Sequence, residues 1–192
     1  MADLATGRMN PSVRACPSRG LRRLHARLLR QSAGLSGLAG AAAERLAVRE
    51  VRVSAWSVGD HLEHMQRVGR SVLGVLDKLR AEPRPGPGPA IRLAGRLVLF
   101  LGVIPRGRAR ATKFVEPQGL PRESLQAELG ALHARLAALG PEQLAALEGI
   151  EGRLPHPIFG GLDARQWLRF LEIHQHHHLK IVRDIERRRR RG

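Results

Sequence analysis

The sequence predicts an all-α protein, a four-helix up-down bundle with one long crossover and a short extra helix. Three observations lead there. Trp167, Leu171, His174, His178, Ile181 and Ile185 recur at steps of four, three, four, three and four, which at ~100° per residue is one stripe along an α-helix. Residues 56–79 and 123–139 repeat their apolar positions in the same way. Between these segments lie stretches rich in proline and glycine, above all AEPRPGPGP at 81–89, which can be neither helix nor central strand. Long amphipathic helices joined by such breaks pack as a bundle.

Taken in order, residues 1–20 (MADLATGRMNPSVRACPSRG) read as a disordered arm. They lack the continuous apolar core of a secretory signal, and Met9 offers a second candidate start. Leu21 to about Glu50 is helical in character, weakened by Gly34, Gly37 and Gly40. Residues 51–55 form a short link. Trp56 to Leu79 is a strong helix, its start marked by the Ser57/Asp60 capping pattern and its apolar face by Val58, Leu62, Met65, Val72, Leu76 and Leu79. After the Pro/Gly linker, AIRLAGRLVLFLGVI at 90–104 is too short, and with Arg92 and Arg96 too charged, to span a bilayer. It reads as a short helix laid against the bundle, with peripheral membrane contact as the minor reading. Residues 105–121 are a loop, basic at first. Glu123 to Leu139 is a bundle helix with Leu125, Leu129, Leu132 and Leu136 on one face, ended by Gly140 and Pro141 and followed by a helical turn to Leu147. Residues 151–161 are a loop into the last helix, where Asp163 stands as N-cap. The bundle domain is thus expected over 21–187, with 188–192 as a basic tail.

A chain of 192 residues, 43% hydrophobic and 26% charged, can bury a core as one soluble domain. Its 33 basic residues against 17 acidic give a net charge of +16. Nearly all of the excess is arginine, with lysine only at 78, 113 and 180, a bias that a GC-rich coding sequence also produces. The arginines are scattered except at Arg187 to Arg191, and four Phe, two Trp and no Tyr leave little surface for stacking bases. Nonspecific contact with nucleic acid follows from this charge, and a dedicated nucleic-acid-associated bundle is the rival reading. Cys16 stands alone, so neither an intrachain disulfide nor a cysteine zinc site can form, which fits a reducing cytoplasmic setting. No phosphate-binding glycine loop and no nucleophile elbow occurs.

The chemistry sits on histidines. His174 and His178 occupy core positions one turn apart on the same helical face, His176 points the opposite way, and His177 falls on the boundary. Two imidazoles at i, i+4 can converge on one divalent ion. The alternative is a pair of hydrogen-bonded core histidines. On the helix beginning at Trp56, periodicity selects His61 as the inward residue, with His64 a quarter-turn away and still within reach of a neighbouring helix. Asp60, Glu63 and Glu172 are near enough in sequence to serve as bases, or simply line solvated faces.

WSVGDHLEH at the start of one helix, HPIFGGLDARQWLRFLEIHQHHHLKIV at the end of the chain and the PRGRARATKFVEP loop together resemble the DinB/YfiT-like superfamily. The likeness is to the branch with an HP-x-FG loop and an H-x-x-H-H helix, and it covers roughly residues 20–187. It implies a bacterial four-helix bundle with a three-histidine site for a divalent ion, Zn, Ni, Mn or Fe. In that pattern the first ligand comes eight residues after the helix-opening Trp, which from Trp56 gives His64; the other two are His174 and His178. Members of this kind include thiol S-transferases and hydrolases acting on small molecules, and others with no known reaction. A low-molecular-weight thiol is the implied co-substrate, and a homodimer is compatible with the fold. Where the pattern often has Gln three residues after the last ligand, this chain has Ile181, which removes a polar group that could orient an attacking water.

Overall fold

A computed structural model of the protein describes residues 16–81, 88–107 and 111–191. Residues 1–15 of the expected N-terminal arm lie outside the described residues.

Helix α1 spans Arg19–Ala39. It begins two residues earlier than the periodicity suggests, because Ser18 is its N-cap and accepts a hydrogen bond from the Leu21 N–H at 3.2 Å. Its buried stripe is Leu21, Leu24, Leu28, Ser32, Leu35 and Ala39. The helix does not run on to Glu50. It ends at Gly40, and a single turn, α2 (Ala43–Leu46), follows. Buried Leu46 packs beside Gly59, where a Cβ would meet its carbonyl oxygen at 3.3 Å, and the Val58 N–H donates to Val48 O at 2.9 Å. Docking this turn on the next helix outweighs the local preference for continuing α1.

Helix α3 covers Val58–Ala81. The capping box forms as read: Ser57 N–H donates to the Asp60 carboxylate at 2.8 Å, and Asp60 N–H to Ser57 Oγ at 3.1 Å. The long crossover carries α4 (Leu93–Leu101) and a 3-10 turn at Lys113–Val115. Helix α5 (Arg122–Ala137) follows, and then α6 (Pro141–Glu148), with Pro141 in its first turn. The expected loop at 151–161 contains a small antiparallel hairpin, β1 (Leu154–His156) and β2 (Gly160–Leu162). Helix α7 (Ala164–Arg189) opens with a capping box between Asp163 and Gln166 and runs two residues into the basic tail.

α1, α3, α5 and α7 form the bundle, each packed on two neighbours: α1 on α5 and α7, α3 on α5 and α7. Side-chain pairs give their directions. His25 on α1 meets Leu136 O and Ser32 meets His133, so α1 and α5 are antiparallel. His61 meets His178 and His64 meets His174, so α3 and α7 are antiparallel. Gln66 bonds Glu128 and Arg135 bonds Asp77, so α3 and α5 run parallel. The parallel α3–α5 pair makes the long crossover necessary. The crossover returns the chain to the end where α3 began, and so brings residues 113–120 over the first turns of α3. At Gly69, α3 approaches α5 so closely that a Cβ would lie 2.7 Å from Leu132 Cδ2.

Candidate metal centre

The antiparallel α3–α7 contact brings His64, His174 and His178 together, each at most 8% exposed. One ring nitrogen from each lies within 4.8 Å of the others. Ring centroids are 4.9 Å apart for His64–His174, 4.7 Å for His64–His178 and 4.5 Å for His174–His178.

A hydrogen bond to a backbone carbonyl fixes which nitrogen of His64 faces inward. His64 Nδ1 donates to Val115 O at 2.7 Å, leaving Nε2 as a lone pair 3.1 Å from His174 Nε2. That spacing suits two ligands at adjacent corners around one ion with metal–nitrogen distances of ~2.0–2.1 Å. His178 Nδ1 lies 3.0 Å from His61 Nδ1, and His61 Nε2 lies 3.0 Å from Ser54 Oγ. His174 Nδ1 is buried with no protein partner.

Burial holds these rings neutral. Desolvation is the largest cause of the lowered pKa at His64, His174 and His178, and at His174 and His178 the neighbouring histidines push the same way. Neutral imidazoles are the form that ligates metal, so the donor set fits a divalent ion. Trp56 roofs the cluster, its ring 4.9 Å from His64 and stacked 6.2 Å from His178, and Phe170 lies 5.5 Å from His174.

The crossover is tied down by Glu63, 2% exposed. Its carboxylate accepts from the backbone N–H groups of Gln118, Gly119 and Leu120 at 2.8, 2.9 and 3.0 Å and from Arg67 Nε at 2.8 Å. Desolvation alone would raise its pKa, but these bonds outweigh it and the net shift is downward. The other two carboxylates near the histidines are also engaged. Asp60 closes the α3 capping box, and Glu172 pairs with Arg27 and Arg169. His176 is exposed and His177 half-buried, the orientations expected from the helical stripe.

A family model described as the DinB superfamily matches residues 21–182. The chain belongs to the DinB superfamily. It is similar to the uncharacterized protein YuaE of Bacillus subtilis (strain 168), with 26% identity over 135 residues, covering 68% of this chain and 77% of that one. No solved structure matches it. The three-histidine cluster of this DinB protein fits a metal-binding member of the family.

The roles of three groups around the DinB site were not legible in the sequence. His61 is buried as periodicity asks, at 2% exposed, but it backs His178 and stands outside the set of three. Val115 contributes through its carbonyl, which no side-chain pattern can signal. His156, within the HP-x-FG loop, accepts from the N–H groups of Ile158 and Phe159 and packs on Phe159, Trp167 and Phe170. Its pKa is lowered to about 4 by burial.

Proposed function

We propose that the protein is a metal-dependent enzyme acting on a small molecule, and that it transfers a low-molecular-weight thiol to an electrophile. His64, His174 and His178 hold the ion, Zn, Ni, Mn or Fe. The observation that carries this is the convergence of three buried, neutral ring nitrogens within 4.8 Å. When bound, a divalent ion supplies Lewis acidity toward a thiol or water. The protein contributes a site walled by Trp56 and Phe170, in which an unpaired anion is costly unless something neutralises it. Asp60, Glu63 and Glu172 are all held in structural hydrogen bonds or ion pairs, and Ile181 offers no polar group. These engagements leave none of the three carboxylates free to take a proton from water, which favours thiol transfer over hydrolysis. In the transfer the thiol gives its proton to solvent, a sulfur–carbon bond forms, and the leaving group departs with its bonding pair. A cytoplasmic setting, where such thiols are abundant, suits this chemistry.

The test is elemental analysis of tag-free protein, expected to give about one divalent ion per chain, with His178→Ala losing it. Unchanged metal content in that variant would remove the proposed site. Metal-loaded protein is then given small thiols with monochlorobimane, beside ester and amide substrates. Metal-dependent hydrolysis without thiol conjugation would make the protein a hydrolase, and silence in both assays with metal bound would make the site non-catalytic.

A further inference from the structure

Helix α4 is apolar on two faces. Gly95 and Val98 are buried against the protein, whereas Leu93, Leu97, Phe100 and Leu101 are 71%, 50%, 85% and 64% exposed. Their spacing, i, i+4, i+7 and i+8, puts them on one outward stripe. In the connection that follows, Val103 and Phe114 are 57% and 81% exposed. An ordinary surface helix turns its apolar stripe to the core and its charges outward.

The helix is not free to roll this stripe inward. The Arg92 N–H donates to Phe159 O at 2.8 Å and the Gly161 N–H to Ala90 O at 3.2 Å, pinning the approach to α4 on the β-hairpin. A Cβ at Gly95 would lie 2.8 Å from that of Phe159, so the inward face is in close contact. Gly102 ends the helix in the left-handed region at φ 68°.

Charge identifies the occupant. From Pro83 to Val115 the sequence carries Arg84, Arg92, Arg96, Arg106, Arg108, Arg110 and Lys113 and no carboxylate. Arg92, Arg96 and Lys113 are exposed, and among the described residues none of them has an ion-pair partner. Arg106 is already paired with Asp184 at 2.7 Å, but a second copy of this chain, docked through the same stripe, would set the unpaired Arg92, Arg96 and Lys113 of one copy against those of the other. A bilayer with acidic headgroups supplies hydrocarbon for the leucines and Phe100 and anions for the arginines. Nine helical residues rise only ~13 Å against a hydrocarbon core of ~30 Å, so α4 would lie in the interface and not cross it. We propose that α4 is an interfacial anchor that docks the protein on anionic lipid bilayers. This is independent of the metal reading.

The experiment is flotation of the full-length protein with vesicles of phosphatidylcholine alone, or with phosphatidylglycerol as about a third of the lipid. Wild type should bind the anionic vesicles at least about tenfold more tightly than the neutral ones. Phe100→Glu, an exposed position whose substitution leaves the core intact, should lower that binding about tenfold or more. A variant lacking Arg187 to Gly192 should keep most of it. Equal binding by Phe100→Glu and wild type would reduce the effect to general charge and overturn the proposal. Light scattering that showed a wild-type dimer and a Phe100→Glu monomer would assign the stripe to a second copy and overturn it as well.

Discussion

His61 Nδ1 lies 3.0 Å from His178 Nδ1, and only one of these nitrogens can carry a hydrogen. If Ser54 accepts from His61 Nε2 and His178 Nδ1 donates to His61, then Nε2 of His178 is left bare for an ion. The reverse chain would leave Nε2 of His178 protonated and unable to ligate. A metal ion bound by His178 would therefore select one direction of the Ser54–His61–His178 chain.

His61→Ala should accordingly weaken metal affinity by roughly 10–100-fold without changing the stoichiometry reached at saturation. Competition with a chromophoric chelator measures the first and elemental analysis at excess metal the second. His64→Ala should lose the stoichiometry itself. If His61→Ala loses the ion and His64→Ala keeps it, the ligand set has been assigned to the wrong histidine of α3.

Acid should destabilise the metal-free protein in a defined window. His61 and His156 titrate at about 4 in the fold, mainly because of burial, against 6.5 when unfolded. The unfolded chain binds protons first as pH falls, so the stability these residues confer is complete above pH 6.5 and is lost as pH drops through 4. For His61 the loss amounts to roughly 3 kcal/mol. Urea midpoints measured in chelator from pH 8 downward should stay level until about 6.5 and then decline. A midpoint unchanged at pH 5 would contradict the burial described for both rings.

Glu63→Gln should destabilise the protein by about 2–3 kcal/mol, because a buried carboxylate holding three backbone donors and Arg67 is replaced by a neutral group with one acceptor oxygen. Metal affinity should fall with it, since the segment that aims Val115 O at His64 is released. Full stability with weakened metal binding would show that the bonds orient the site but do not hold the fold. Loss of neither would remove Glu63 from both roles.

Polyanion binding should be weak, indifferent to sequence and steeply salt-dependent. Deleting Arg187 to Gly192 should weaken it while leaving metal content alone. Sequence-selective DNA binding below micromolar at ~150 mM salt would instead favour a dedicated nucleic-acid role.

The helices were legible because their signals are local. The stripe from Trp167 to Ile185 and the Ser57/Asp60 box needed no knowledge of the rest of the chain, and both appear where read. Where α1 stops was less legible, since Leu46 turns back to pack beside Gly59, a contact periodicity cannot register. Periodicity and family resemblance pulled apart at His61 and His64, and the reason is geometric. The start of α3 is covered twice, by α7 and by the crossover, so both residues are buried and the centre of the apolar face no longer identifies the inward one. The hairpin went unread because its strands are three residues each. The hold of Glu63 on the crossover runs through backbone N–H groups, which every sequence possesses.

His64 and His174 are separated by 110 positions. At ~5–20 residues per second, a ribosome needs roughly 5–20 s to pass from one to the other. Throughout that interval the first imidazole exists without its companions, and no partly made chain can retain an ion by this trio. An ion held by these three rings would therefore be taken up only after the last long helix has docked.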